Sequence, residues 1–113
     1  MKTIDAVAAL GALAQESRLG IYRLLVQAGP EGMAAGTIAG RLGLPPATLS
    51  FHLKELSRAG MAIPRQEGRF VIYTANFGNA LKLVNFLTEN CCGGQSCLPE
   101  CGSSAATTEG ATS

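Results

Sequence analysis

The segment PPATLSFHLKELSRAG, residues 45–60, decides the fold of this protein. Its leucines, Leu49, Leu53 and Leu56, follow the i, i+4, i+7 spacing of one helical face, and mostly polar residues lie between them. A proline suits the first turn of a helix, where its missing N–H would have no intrahelical partner, and a glycine commonly follows the last turn. The pattern therefore predicts a helix from Pro46 to about Ala59.

The segments on either side of this helix complete a winged helix-turn-helix. Before it, Ala35–Leu42 has the apolar spacing of a short helix, and Gly43-Leu44-Pro45 breaks that helix. After it, Met61–Glu67 and Arg69–Ala75 alternate as strands do, around a glycine turn. Pro64 assigns the first strand to the edge of its sheet. We therefore predict a mainly α-helical fold with a β-hairpin, in which the second helix of the helix-turn-helix enters the DNA major groove.

Three further helices are predicted outside this unit, at Ile4–Leu13, Glu16–Gln27 and Gly78–Asn90. The first is apolar on more than one face and the last is also rich in apolar residues, which predicts that both pack against a second copy of the chain in a homodimer. In the middle helix, Arg18 and Arg23 are expected to face solvent.

Length and composition limit the possible functions. The 113 residues predict one folded domain at residues 1–92, followed by a flexible tail at 93–113 whose last part has no large apolar residue. The net charge of +1 means that nucleic-acid binding must depend on a local cluster of charge. No run of 18 apolar residues occurs and no signal-peptide pattern begins the sequence, so we expect a cytoplasmic protein without a membrane span.

The predicted DNA-reading surface combines the polar face of the helix at 46–59 with the tip of the hairpin. Lys54, Arg58, Arg65 and Arg69, four of the nine basic residues, lie in this unit, and phosphate contacts dominate affinity for DNA. The only histidine, His52, has no cysteine, aspartate or second histidine three or four residues away, so a hydrogen bond or a phosphate contact is favoured over metal ligation. The predicted contact residues are Thr48, Ser50, Phe51, His52 and Lys54 on the helix and Arg65, Gln66 and Arg69 on the hairpin.

All four cysteines, Cys91, Cys92, Cys97 and Cys101, lie within eleven residues. Disulfides, a metal or metalloid site and a redox switch are the three competing explanations. Cytosolic thiols are kept reduced, so structural disulfides are not expected. A catalytic thiol needs a depressed pKa from a helix N-terminus or a cation, whereas this cluster follows a helix C-terminus and no basic residue lies between positions 90 and 113. We therefore expect that the protein is not an enzyme.

The segment Thr48–Met61, TLSFHLKELSRAGM, resembles the recognition-helix signature of the ArsR/SmtB repressors, in which a serine or threonine precedes His-Leu and Ala-Gly precedes the wing. Ser17–Leu25 is similar to the arginine- and leucine-rich second helix of that family, and the likeness covers about residues 4–90. The resemblance implies a homodimeric winged-helix repressor on a double-stranded, palindromic operator upstream of resistance genes. It also implies release from that operator by an inducer ion or metalloid.

The resemblance also bears on the sensing site. Two sites known in the family are absent: residues 32–39 contain no Cys-x-Cys pair, and the last helix offers only Glu89 of the Asp, His and Glu ligands that zinc sensors use. Another branch, the arsenite sensors, carries a vicinal cysteine pair at the end of the last helix and a third cysteine shortly after it. Cys91, Cys92 and Cys97 match that layout, and Cys101 is an additional thiol that could ligate.

The chemistry of thiolates agrees with this layout. Thiolates are soft ligands, as As(III) and Sb(III) require, and such ions take three sulfurs in a pyramid. Adjacent cysteines supply two sulfurs, and Gly93-Gly94 lets the chain turn back to bring in a third. We therefore predict As(III) or Sb(III) as the inducer, with no intrinsic cofactor. Zn(II), Cd(II), Pb(II) and a thiol redox switch remain as alternatives.

Overall fold

The computed structural model describes residues 1–94, except the side chain of Cys92. The predicted tail therefore falls almost entirely outside the described residues. Within them, the chain forms five α-helices, three β-strands and two short 3₁₀ turns, the turns at Gly29–Glu31 and Cys91–Gly94. The helices and strands are α1 (Thr3–Leu13), α2 (Glu16–Ala28), β1 (Met33–Ala34), α3 (Ala35–Leu42), α4 (Pro46–Arg58), β2 (Ala62–Glu67), β3 (Phe70–Ala75) and α5 (Phe77–Thr88).

The helix-turn-helix is confirmed as α3 and α4. The first helix has the predicted bounds, and the second ends at Arg58, one residue earlier than expected. Gly43 ends α3 in the left-handed conformation with φ of 67°, which glycine adopts at little cost, and its N–H donates to the carbonyl of Ala39. This single turn redirects the chain into α4.

The predicted hairpin is confirmed as β2 and β3, which pair antiparallel with Glu67 opposite Phe70. Gly68 opens the two-residue turn with φ of 60°, the conformation required at the first central position of a type II′ hairpin turn. The sheet order is β1-β3-β2, so Pro64 lies on an edge strand as expected. The strand β1 was not predicted, because two residues are too few to show an alternating pattern.

The core lies between the helix-turn-helix, α2 and the hairpin. The leucines predicted to form the inner face of α4 are all buried, as are Ile21 and Leu25 of α2, Ile38 of α3 and Met61 at the start of the wing. Burying one such side chain contributes about 1.5–3 kcal/mol. This packing fixes α4 against the body of the domain and leaves its opposite face in solvent.

The two terminal helices, α1 and α5, contact each other and keep their larger apolar side chains outside. Alanines form the buried face of α1, so its backbone lies close to its neighbours, while Ile4, Val7 and Leu10 are exposed. On α5 only Leu83 is buried. The exposed apolar side chains of α5 include Leu81, Val84 and Leu87, which recur every three residues. None of the helices in residues 1–94 is long and apolar enough to cross a membrane.

Candidate functional site

The outer face of α4 presents most of the side chains predicted to contact DNA. Thr48, Ser50, Phe51 and Lys54 are exposed, and they lie on the N-terminal and central turns of the helix. Leu49 and Leu53 are buried on the other side. Because the inner face is fixed in the core, the outer side chains project from a rigid element.

His52 was expected among the exposed residues, and this expectation is wrong. Its side chain is 8% exposed, because position 52 lies beside Leu49, Leu53 and Leu56 on the inner face of α4. Its Nδ1 lies 3.4 Å from a terminal nitrogen of Arg18. Since a guanidinium carries only donors, Nδ1 of His52 is the acceptor in this contact. His52 therefore packs in the core and links α4 to α2, instead of facing DNA.

Arg18 was expected to face solvent, and the structure corrects this as well. Its Nε donates to the carbonyl of Ala12 at 2.8 Å, at the end of α1, while its terminal nitrogen reaches His52 on α4. One side chain on α2 thus joins the first helix to the reading helix. No local pattern predicts this contact, because Arg18 and His52 are 34 residues apart. Arg23, by contrast, is exposed as predicted.

Replacing Arg18 by methionine is expected to destabilise the protein by about 1.5–3 kcal/mol, because a charge-assisted hydrogen bond is lost and the buried His52 acceptor is left unpaired. Methionine keeps most of the aliphatic stem, so packing changes little. Urea unfolding followed by circular dichroism measures the loss. Arg23→Met on the same helix is the matched control and should shift stability by no more than about 0.5 kcal/mol. Equal losses in the two variants would show that the Arg18 contacts contribute nothing.

The wing carries the other predicted contacts, and all three are exposed. Arg65 donates from Nε to the Glu67 carboxylate at 2.6 Å and from Nη2 to the carbonyl of Glu31 at 2.8 Å, so it braces the wing. Gln66 donates to the carbonyl of Gly68 at 2.9 Å. Arg69 follows in the turn itself, and no ion pair is found for it within residues 1–94.

The positive cluster predicted from sequence is partly neutralised. Arg58 pairs with Glu55 at 2.6 Å, as Arg65 does with Glu67. Both pairs are solvent-exposed, and exposed pairs contribute only about 0–1 kcal/mol, so a phosphate can displace either carboxylate cheaply. Lys54 and Arg69 remain without an ion pair in the described part of the chain, one on the reading helix and one on the wing.

The thiol region differs from prediction in two ways. The last helix ends at Thr88 rather than Asn90, because Glu89 is already extended with ψ of 143°. Asn90 then turns the chain with φ of 57°, and Cys91 begins a separate 3₁₀ turn. In addition, Cys91 is disulfide-bonded, whereas reduced thiols were expected.

The complete predicted ligand set cannot be assembled from the described residues. The side chain of Cys92 and the residues Cys97 and Cys101 lie outside them, and residues 1–94 contain no other group of three His, Cys, Asp or Glu side chains arranged to hold a metal ion. The thiol site, including the question of Cys101, therefore stays a prediction.

Comparisons with known proteins agree with the geometry. A family model described as a helix-turn-helix domain matches residues 13–63. The nodulation protein NolR of Rhizobium meliloti is 31% identical over 80 residues, which span 71% of this chain and 63% of NolR. The chain thus spans less than two thirds of that relative's length.

Solved structures extend the likeness to the whole winged helix. An ArsR-like transcriptional regulator from Rhodococcus sp. RHA1 superimposes with a TM-score of 0.67 at 25% identity, over 74% of this chain and 76% of that one. A homodimeric winged helix-turn-helix DNA-binding domain from Mycobacterium bovis, described as a possible ArsR-family transcriptional regulator, has a TM-score of 0.60. It is 30% identical, over 81% of this chain and 86% of that one.

Proposed function

Because the chain belongs to the ArsR-like family of winged helix-turn-helix transcriptional regulators, we propose that it is a metalloid-responsive repressor. It binds operator DNA as a homodimer, and As(III) or Sb(III) releases it by binding to cysteine thiolates. The exposed outer face of α4, held rigidly by its buried inner face, carries the DNA-binding part of this proposal. The thiol cluster carries the sensing part.

DNA binding follows from the position of α4 and the wing. The second helix of a helix-turn-helix lies in the major groove, with its N-terminal residues toward base edges. Here those residues are Thr48, Ser50 and Phe51, and Lys54 follows one turn later, where its ammonium group would contact a phosphate. Arg69, in the turn of the wing, would contact the DNA phosphate backbone beside this groove. His52 is not proposed as a contact, since its ring is buried.

The outer faces of α1 and α5 support dimerisation. Exposure of their apolar side chains to water is unfavourable in free energy, and packing against a second copy of the chain would bury them. Pairing two copies also doubles the DNA contacts. It restricts binding to operators whose two half-sites have the spacing of the two reading helices, as in a palindromic operator. The similar domain from Mycobacterium bovis is described as homodimeric.

Release by a metalloid requires that the ligand bind the DNA-free form more tightly than the DNA-bound form. The 3₁₀ turn that begins at Cys91 is separated from α5 only by Glu89 and Asn90, and α5 contributes to the proposed dimer face. Drawing Cys91, Cys92 and Cys97 around one ion would reorder the chain next to that face. A change there alters the relation between subunits and hence the distance between the two reading helices.

A redox-responsive repressor is the second candidate, and the disulfide at Cys91 favours it. In that case two thiols lose two electrons and two protons to an oxidant such as hydrogen peroxide, which is reduced to water, and an S–S bond forms. The same cysteines would then respond to oxidation rather than to a soft ion.

One titration tests the proposal and separates the candidates. Fluorescence anisotropy of a labelled duplex from directly upstream of the gene should give a Kd of about 10⁻⁸–10⁻¹¹ M for the reduced protein at physiological salt. Arsenite should weaken that binding by about 5–150-fold, the usual range of allosteric coupling. Release by peroxide but not by arsenite would support the redox candidate. Release by Zn(II) but not by arsenite would identify Zn(II), rather than a metalloid, as the inducer. Absence of binding at low salt would overturn the DNA-binding role.

A further inference from the structure

Phe51 is an unusual side chain for the centre of a DNA-reading face. It is 57% exposed, in the second turn of α4, directly opposite the buried leucines. Ala47, four residues earlier, and Lys54, three residues later, are also exposed and lie on the same helical face. The ring therefore projects with a small apolar neighbour before it and a cation after it.

The ring of Phe51 also has a defined support. It packs against the ring of His52 with the centroids 5.7 Å apart and the planes tilted by 60°, a favourable aromatic geometry. His52 is in turn buried and hydrogen-bonded to Arg18. An exposed aromatic ring that is already held by a neighbouring ring loses less conformational entropy on binding a ligand than a freely rotating ring does.

The bases differ in what they offer to such a ring. In the major groove, thymine presents a C5 methyl group, which apolar side chains such as phenylalanine contact, while cytosine presents an amino donor that an apolar ring would leave unpaired. Lys54 lies where it can bind a phosphate and fix the register of the helix. We propose that Phe51 selects thymine in each operator half-site by contact with this methyl group. The inference rests on the proposed DNA-binding function and adds the base that α4 recognises.

The test begins with duplexes selected from a random DNA library by the reduced wild-type protein. The tightest duplex is then synthesised again with deoxyuridine in place of thymidine, one half-site position at a time, which removes only the methyl group. At the thymine facing Phe51, the substitution should weaken binding about fourfold in one half-site, the effect of one buried methyl-sized group. Substitution in both half-sites should weaken it about fifteenfold.

Two variants assign the effect to its residue. Phe51→Ala should bind the thymidine and deoxyuridine duplexes equally well. Phe70→Ala removes another exposed phenylalanine, from the wing, and should keep the full difference between the two duplexes.

The outcomes distinguish the inference from the function on which it rests. If no duplex is enriched, the DNA-binding function itself fails. If a duplex is enriched and binds, but deoxyuridine is tolerated at every position by the wild-type protein, Phe51 does not read thymine although the protein binds DNA. A difference that persists in Phe51→Ala would likewise assign the methyl contact to another residue.

Discussion

Val84→Glu is expected to convert the dimer into a monomer and to lower operator affinity by about 10²–10⁴-fold. Val84 is 55% exposed in the isolated chain and lies between Leu81 and Leu87 on the outer face of α5. A glutamate there would bring its charge, and that of its symmetry mate, into an apolar interface without a partner. With the dimer lost, the two half-sites are no longer bound by one linked molecule, and the avidity of paired sites disappears.

Sedimentation equilibrium measures the assembly of this variant, and anisotropy measures its binding to the upstream duplex. Asn85→Glu is the matched control, since it adds the same charge at an adjacent exposed position of α5. It should remain dimeric and bind DNA like the wild type. Because Val84 is exposed, the variant should keep its helical circular dichroism. A dimeric Val84→Glu protein with normal DNA affinity would place the subunit interface elsewhere.

The elements that the sequence predicts well are those stabilised by local patterns. The leucine spacing of α4, the break at Gly43 and the glycine turn of the wing act within a few residues, and each was found where predicted. The exposed apolar faces of α1 and α5 also follow from composition, because a helix without a polar face must either be buried or meet a partner.

The two side chains that the prediction placed wrongly on the surface differ in this respect. Arg18 and His52 meet only after α2 and α4 have packed, so the inward direction of the arginine could not be read from spacing. The burial of His52 could have been, because position 52 follows Leu49 by three residues and precedes Leu56 by four, on the leucine face of α4. The end of α5 was misplaced because the first glycine after it is Gly93, whereas the helix already stops at Thr88. The helix ends because Glu89 takes an extended conformation, and Asn90, which tolerates positive φ, then turns the chain.

Cys91→Ser and Cys92→Ser are expected to abolish release by arsenite at concentrations that release the wild type, while operator affinity stays unchanged. A serine hydroxyl is a hard, protonated oxygen and does not replace a soft thiolate. Because the three thiolates are linked by a short chain, removing one should lower arsenite affinity by roughly 10²–10⁴-fold, the usual gain from linked sites. Cys97→Ser should behave in the same way.

Cys101→Ser is the internal control of this series and decides the role of the fourth thiol. If three sulfurs bind the ion, this variant is released normally, and X-ray absorption of the arsenite complex gives a sulfur count of three in both proteins. A count of four in the wild type that falls to three in Cys101→Ser would add Cys101 to the site. If all four serine variants are still released, the metalloid binds elsewhere.

The disulfide at Cys91 adds a second, independent arm to the same experiment. A sulfur held in a disulfide has no thiolate to give to As(III), so oxidised wild-type protein should resist arsenite as Cys91→Ser does. Adding a phosphine reductant should restore release in the wild type and leave Cys91→Ser unresponsive. If oxidation by itself releases the wild type from DNA and Cys91→Ser does not respond to it, these thiols sense redox state directly. Arsenite would then act on the thiols of a redox sensor.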